Sequence, residues 1–578
     1  MQGKIDKAGV VKVLHDIGLL LQLKGENSFK SRAYDLGAER ISGLSDEDLT
    51  RRAEAGTLGE LPGIGDALSK KVAELVTTGV LPYFETLRGE FPPGILDICQ
   101  LPDVGPKKAA ALFRGLQIGD VTALELACRE GRVQALKGFG AKTEAKLLEG
   151  IERMRRAKGR HLLGRVLPKA EALLERVLAA EGVMRASLGG SVRRACETVG
   201  DVDIVASALD PKPLMDAFVS HSSVAQVIGR GDTKCSVRLT EDDLQVDLRV
   251  LPDEDFATAL HHFTGSKAHH VRLRGIAQDR GLKISEWGVF RGEEKLKVTD
   301  EEELYALLGM KFIPPELRED LGEIEAALNG TLPDDWVRES DVLGAVHSHS
   351  TWSDGRNSLE EMARTAQALG LQYLTVTEHS QSAIYAGGLS ADRLRAQWDE
   401  IDALNEKLGG GFRLLKGMEV DILADGALDL DAALLDALEV VIASVHVRHS
   451  LDEDQMTARV LRALDHPRTH ILGHPTGRLL NTRDPYPLKM EAVLDRAAER
   501  GVTVEVNGSP ARMDLSAAHV RMAVERQVKL VASVDAHGIE QLANLEFAVA
   551  TARKGWARKT DILNTLPAEA FLGRLHQR

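Results

Sequence analysis

Two aspartates one residue apart in an apolar run, Gly200-Asp201-Val202-Asp203-Ile204-Val205, are the first residues whose spacing could do chemistry. Such a run reads as a β-strand, and alternation sets Asp201 and Asp203 on one face with Val202 and Ile204 on the other. A third carboxylate, Asp247, sits in a second alternating run, Leu244-Gln-Val-Asp-Leu-Arg-Val250. Three carboxylates from neighbouring strands repel one another unless something cationic lies between them. A pair of Mg²⁺ or Mn²⁺ ions supplies that charge and can clamp both ends of an in-line phosphoryl displacement. Just upstream, Gly189-Gly190-Ser191-Val192-Arg193-Arg194 offers a turn at Gly190-Ser191 where backbone can approach phosphate, with Arg194 as a fixed cation. Taken alone, Asp-x-Asp is also a common surface strand.

A second concentration of chemistry lies toward the other end, where eleven of the eighteen histidines follow residue 340. Val342-Leu-Gly-Ala-Val-His-Ser-His-Ser350 runs as a strand that ends in His-x-His, with His347 and His349 on one side. The loop Ser353-Asp-Gly355 supplies Asp354, and further apolar strands end at His379, Glu419, His446, His474, Asp535 and His537. Helix-type segments lie between most of these strands, which implies parallel pairing and a (β/α) barrel with its site at the strand C-terminal ends. One strand ending in histidine is ordinarily a satisfied core residue. Six ending in His, Asp or Glu describe a site.

The elements that position these groups begin with helices over residues 1 to 87, the first from Lys7 to Lys24 by its apolar spacing. Lys30, Arg32 and Tyr34 follow as candidate DNA contacts. Leu61-Pro-Gly63-Ile-Gly65 precedes a helix from Asp66 to Thr78, and the pattern returns at Leu101-Pro-Asp-Val-Gly105 and Leu136-Lys-Gly-Phe-Gly140. Each makes a tight turn with outward backbone N–H groups ahead of a helix N-terminus that favours anions. Three turns of one design look like helix-hairpin-helix motifs, which hold DNA phosphates without reading sequence.

A chain of 578 residues, 43% apolar and 28% charged, calls for several domains and carries no apolar run long enough to span a membrane. It begins without an apolar signal segment, so a cytoplasmic protein is expected. The four scattered cysteines, Cys99, Cys128, Cys196 and Cys235, form no Cys-x-x-Cys pair and argue against a disulfide framework or cysteine-zinc site. A formal charge of −14 excludes a chain that is basic all over but leaves local DNA-facing patches open.

Gly-Ser-x-x-Arg, then Gly-Asp-x-Asp, then a distant Val-Asp resembles the nucleotidyltransferase signature of family X DNA polymerases, the group that contains DNA polymerase β. The resemblance implies that Asp201, Asp203 and Asp247 hold two catalytic Mg²⁺ or Mn²⁺ ions, and that Gly190, Ser191 and Arg194 touch the triphosphate. It implies a helical lyase-like domain at 1–87 and fingers at 88–154. A palm with a mixed sheet follows at 155–250, then a small thumb at 251–316. Gly63, Gly65, Gly105 and Gly140 would bind DNA, and Lys71 falls where the family's Schiff-base lysine lies, although it could equally be an exposed phosphate-binding lysine. Leu260-His-His-Phe-Thr-Gly-Ser266 resembles the segment that packs on the nucleotide sugar, matching at Phe263 and Gly265. His262 stands where tyrosine is usual and His270 where asparagine is usual, while Arg274 could reach the template strand. His261, His262, His269 and His270 are otherwise expected as polar surface, and the acidic stretch 317–340 as a short helix plus linker.

Residues 341–578 resemble the polymerase and histidinol phosphatase (PHP) domain, implying a distorted (β/α)7-type barrel. Its nine matching ligands are His347, His349, Asp354, His379, Glu419, His446, His474, Asp535 and His537, a set suited to two or three Mn²⁺, Zn²⁺ or Fe ions. His449, His466 and His470 read as surface or as supporting residues, and Arg478 and Arg512 as phosphate clamps. The whole is then a multidomain α+β polymerase that fills short gaps in DNA repair. Its barrel would trim 3′ ends as a 3′-5′ exonuclease or cut at abasic sites. Its partners are gapped or nicked double-stranded DNA and deoxynucleoside triphosphates, with no membrane, and a monomer is expected. The alternatives are a DNA-bound PHP phosphoesterase with an impaired polymerase core, and a small-molecule phosphatase.

Overall fold

The computed structural model describes residue 5 and residues 7–577, except Gly43, Ser45, Pro62, Pro102, Asp103, Glu241 and Asp242. The chain divides into two compact units, Met1–Gly159 and Arg160–Arg578. The described part of the first unit is helical. Its first helix spans Lys7–Lys24, and the helices after the three glycine turns span Asp66–Thr78, Pro106–Leu116 and Ala141–Ala157. Gly65, Gly105 and Gly140 are the N-cap residues of those three helices, which leaves the first-turn N–H groups directed out of each turn. Leu14, Ile17, Leu20, Val72, Leu112 and Ile151 belong to one apolar core that the helices share.

In the second unit, a five-stranded sheet forms from β1 (Val183–Leu188), β2 (Asp201–Ala208), β3 (Val224–Arg230), β4 (Lys234–Leu239) and β5 (Gln245–Leu251). The order is β1-β2-β5-β4-β3, with β2 and β5 parallel and the other pairs antiparallel, so the sheet is mixed as expected. Helices Phe256–Thr264 and Lys267–Asp279 follow, then a three-stranded antiparallel sheet of β6 (Lys283–Ser285), β7 (Gly288–Arg291) and β8 (Glu294–Leu296).

The C-terminal part is a parallel sheet of seven strands in chain order. They are β9 (Gly344–Ala345), β10 (Tyr373–Val376), β11 (Arg413–Asp421), β12 (Val440–Ser444), β13 (Ile471–Leu472), β14 (Thr503–Asn507) and β15 (Leu530–Ser533). Beyond the strand ends, a parallel bridge between Ser348 and Ala536 closes the ring. There His349 N–H donates to the Ala536 carbonyl at 2.8 Å and Ala536 N–H to that of His347 at 3.1 Å. Six of these strands are buried at every residue, and β11 at all but two, which is why they read as continuous apolar runs. The barrel also completes the core of the five-stranded sheet, since Met513 and Phe547 pack into it. A Cβ at Gly164 would lie 2.4 Å from Pro510 Cγ, so glycine is needed for that approach.

Two expectations are corrected. The stretch 317–340 is packed rather than a free linker: Leu317, Ile324, Ala327 and Leu332 enter the same core as Leu273, Leu304 and Tyr305. The apolar residues are interleaved with acids, and the acids find buried cations. Arg318 is fully buried and pairs with Glu301, which also takes Arg193 at 2.6 Å. Nor are the thumb histidines polar surface. His261, His269 and His270 are buried, and only His262 is half-exposed. His269 Nδ1 lies 2.6 Å from Glu323 and its Nε2 lies 3.0 Å from the Tyr305 hydroxyl, which His261 approaches at 3.3 Å. Glu323 comes from the supposed linker, so its packing is what allows imidazoles inside.

Removing one member of a buried ion pair strands the other. Arg318→Met is expected to destabilise the second unit by about 3 kcal/mol, read as a lower urea midpoint of the intact chain.

Candidate active sites

The register of the five-stranded sheet sets Asp203 on β2 directly beside Asp247 on β5, with Asp201 one alternation away on the same face. Asp201 is exposed, Asp203 half-buried and Asp247 buried. Burial, together with Asp201 and Asp247, pushes the Asp203 carboxyl up to about 6. Burial pushes Asp247 the same way, but hydrogen bonds from Lys234, Gln245 and Ser236 hold it below the usual carboxylate range. Lys234 Nζ lies 2.5 Å from Asp247 and so supplies one positive charge to the trio.

Gly190 has a left-handed φ of 59°, and a Cβ there would meet the Asp203 carboxylate at 2.7 Å. The turn therefore brings the backbone around Ser191 against the acid face. Arg194 leaves this turn to donate to Glu319 (3.1 Å) and to the Thr264 carbonyl (2.7 Å). It thereby joins the Gly190 turn to the segment carrying Phe263 and Gly265. Phe263 lies under the Arg249 guanidinium, 4.4 Å from ring centroid to Cζ. Gly265 caps the helix Phe256–Thr264, and the half-exposed His262 ring packs on His270 at 4.8 Å. Arg274 is exposed on the next helix.

At the barrel's strand ends the nine candidate ligands form one connected cluster. Three tight groups overlap: His349, Asp354, His379 and His537; His347, His349 and Asp535; His379, Glu419 and His446. His349 and His379 each belong to two groups. His474 joins through Nε2, 2.9 Å from Glu419 Oε1. The His349 ring stacks on those of His537 and His379 at 4.3 and 4.5 Å. Among the described residues, these are the tight groups of potential ligands, and the palm trio is not one of them.

In the palm, Lys234 from the next strand pairs with Asp247. The barrel's donor set fits cations, because Nε2 of His347 and His349 and Oε2 of Glu419 are buried without a hydrogen-bond partner. Burial works against protonating His379 and His446, but Glu419 with Asp354 pushes His379 up to about 10, and Glu419 with Asp421 pushes His446 up to about 9. Burial and the neighbouring His537 and His379 push His349 down to about 3. The acids around His379 and His446 thus favour a positive charge at that place.

Sequence reading missed the carboxylates behind the ligands. Glu505, fully buried on β14, accepts from His347 Nδ1 at 2.7 Å, from the His474 backbone N–H and from Ser533. Asp421 binds Nδ1 of His446, and Ser382 donates to it at 2.6 Å. Both fix imidazole tautomers. Glu505 stood in plain view as a lone acid inside Thr503-Val-Glu-Val-Asn507, and Asp421 one alternation beyond Glu419. Arg512 Nε lies 3.3 Å from Asp535, within the cluster. Arg478 is corrected as a phosphate clamp, since its guanidinium is spent on Glu197 at 2.6 Å and on the Arg512 and Met513 carbonyls. His470 is likewise not surface. It is buried and accepts the Val441 N–H at 3.0 Å. His449 and His466 are half-exposed.

In the first unit, a Cβ at Gly63, Gly65, Gly105 or Gly140 would meet nothing. At Gly65 and Gly140 φ is −78° and −134°, so neither internal packing nor a left-handed backbone demands glycine. Lys71 is half-buried, hydrogen-bonds to the Tyr34 hydroxyl and lies 3.5 Å from the centroid of the Tyr83 ring. Burial lowers its ammonium below the usual lysine range.

A paired-carboxylate palm with its thumb, helix-hairpin-helix modules and a histidine-lined barrel on one chain define a two-centre DNA polymerase class. Family models agree in their own segments: helix-hairpin-helix domain at 6–81, SAM-like helix-hairpin-helix tandem at 95–153, DNA polymerase beta thumb at 259–319 and PHP domain at 345–509. The chain is 37% identical over 574 residues to the DNA polymerase/3′-5′ exonuclease PolX of Bacillus subtilis (strain 168), covering 98% of this chain and 99% of that protein. It belongs to the family of PolX-type DNA polymerases. Over 232 residues the chain is 30% identical to a protein named "Probable phosphatase" in Thermoanaerobacter sp. (strain X514), 38% of this chain and 89% of that one. A protein of the same type in Aliivibrio fischeri (strain ATCC 700601 / ES114) is 29% identical over 241 residues, 39% of this chain and 90% of that one. No helix among the described residues is long and apolar enough to cross a membrane.

Because Asp203 must lose its proton before it can hold a cation, acid opposes metal binding at the palm. Below pH about 6 the Mg²⁺ concentration that half-saturates the palm should climb by about tenfold per pH unit, measured by calorimetry on the intact chain.

Proposed function

We propose that this chain is a DNA-directed DNA polymerase that fills short gaps during repair, and that its barrel is a metal-dependent 3′-5′ exonuclease. The observation that carries the reading is the Asp203–Asp247 register beside Gly190, on the same unit as the nine-residue cage. Asp201, Asp203 and Asp247 would hold two Mg²⁺ or Mn²⁺ ions, whose charge steadies the attacking and leaving oxygens of the phosphoryl transfer. Ser191 and the backbone at Gly190 hold the triphosphate, Arg194 turns to it from Glu319, and Phe263 and Gly265 form the floor under the sugar. His262 supplies a smaller, more polar ring than the tyrosine usual at that place in the family.

In the barrel, the nine ligands would hold two or three Mn²⁺, Zn²⁺ or Fe ions, which would supply Lewis-acid charge to a phosphodiester. Glu505 and Asp421 hold His347 and His446 in the tautomers that can donate to those ions, and Arg512 steadies the phosphate. The substrate is gapped or nicked DNA, held by open glycine turns that let phosphates reach backbone N–H groups. The domain limits that fit this division are 1–87, 88–154, 155–250, 251–316 and 341–578. Segment 317–340 serves as part of the thumb.

The test separates the two centres. On single-nucleotide-gapped DNA, Asp201→Ala should lose primer extension by on the order of a hundredfold or more and keep 3′ digestion, whereas His349→Ala should do the reverse. Extension that survives Asp201→Ala would remove the polymerase assignment, and digestion that survives His349→Ala would remove that of the barrel.

A second reading concerns Lys71. Burial of Lys71 between two tyrosines favours its neutral amine, which can attack the aldehyde of a 5′-deoxyribose phosphate and form a Schiff base, the carbonyl oxygen leaving as water. Borohydride is expected to trap the chain on such DNA, and Lys71→Ala should abolish the adduct. An adduct of equal yield in that variant would sink the lyase role.

A further inference from the structure

The Glu319 carboxylate is shared by two cations, one from the palm turn and one from a barrel helix. Arg194, from the palm turn, donates its Nε–H to Oε1 at 3.1 Å, and Lys554 Nζ, from the barrel helix Leu545–Lys554, donates to the same oxygen at 2.8 Å. Lys554 also donates to the backbone carbonyl of Arg194 at 3.1 Å and approaches Cys196 Sγ at 3.5 Å. All three charged side chains are largely shielded from water, at 14% exposed for Arg194, 17% for Lys554 and 21% for Glu319. Three residues beyond Arg194, Glu197 is held by Arg478, again from the barrel, at 2.6 Å. The loop leading from the phosphate-facing turn to Asp201 is therefore fastened at two points by residues outside the polymerase part.

We propose that Lys554 is a positioning residue for nucleotide binding at the palm, acting through Glu319 and Arg194. The proposal rests on the reading of Arg194 as a triphosphate contact. For Arg194 to turn its guanidinium to an incoming triphosphate, it must loosen its pair with Glu319. A shielded carboxylate that loses its sole cation is costly, so Glu319 alone would compete with the nucleotide for Arg194. With Lys554 on the same oxygen, Glu319 stays neutralised while Arg194 moves. The hydrogen bond to the Arg194 carbonyl meanwhile keeps the backbone of the turn in place. The barrel thus contributes a charge to polymerase chemistry that is separate from its own strand-end site.

The test uses the full-length chain, deoxynucleoside triphosphates and single-nucleotide-gapped DNA. Lys554→Met keeps the stem and removes the charge. It is expected to raise KM for the nucleotide by about five- to tenfold while kcat stays within about twofold. Digestion of 3′ ends should be unchanged, which reports that the barrel is folded and joined. Lys554→Arg should restore most of the affinity. Adding Glu319→Gln to Lys554→Met should lower KM again, because a neutral amide no longer competes for Arg194; a merely structural lysine predicts a further loss instead. An unchanged KM in Lys554→Met, or no recovery in the double variant, overturns the proposal. Arg194→Ala separates the levels. If it leaves KM unmoved, the nucleotide reading of Arg194 and the role of Lys554 fall together. If it raises KM while Lys554→Met does not, only the role of Lys554 falls.

Discussion

Like charge gathered at strand ends is the constraint on which the rest of this structure depends. A carboxylate taken from water and set beside another carboxylate resists ionisation, as Asp203 does at about 6. Such a group persists only where a cation, a proton or a hydrogen bond offsets it. The chain meets this condition twice, on two unrelated sheets, and much of its polar interior is arranged to satisfy it.

The two sheets meet it differently. In the palm, three acids on adjacent parallel strands stay apart, and Lys234 lends a charge from the next strand. In the barrel, six strand ends converge on one point, so acids and imidazoles can neutralise each other at close range. A second layer of buried acids, Glu505 and Asp421, then orients the imidazoles. Closure through the Ser348–Ala536 bridge sets His347 and His349 opposite Asp535 and His537. A ring closed by backbone hydrogen bonds is rigid, which suits a site whose ligands must hold their spacing.

Part of the polar interior consists of acids held against cations inside the fold. Glu301 and Glu323 are buried and Glu319 half-buried, against Arg193, Arg318, Arg194, Lys554 and His269. Each of these charges is offset by its neighbour rather than by water. The glycine turns of the first unit, by contrast, face open space.

The sequence by itself determined the elements and their chemistry. Periods of two and of about 3.6 residues placed the helix Lys7–Lys24 and the strands around Asp203 and Asp247, because solvent divides each such element into a wet and a dry face. The strand-end residues were legible for a related reason: a polar group that closes an apolar run, as His379 and His446 do, must find its partner at the strand tip. Tertiary structure alone decided which charges were interior. Glu323, Arg318 and the thumb histidines look like surface because composition cannot show that partners distant in sequence, such as Glu301 and Arg318, converge and repay the loss of water. Arg478 shows the converse, for an arginine near a phosphate site cannot be told from one tied to Glu197 until both segments have folded. Local pattern depends on neighbours along the chain, whereas burial of charge depends on neighbours in space.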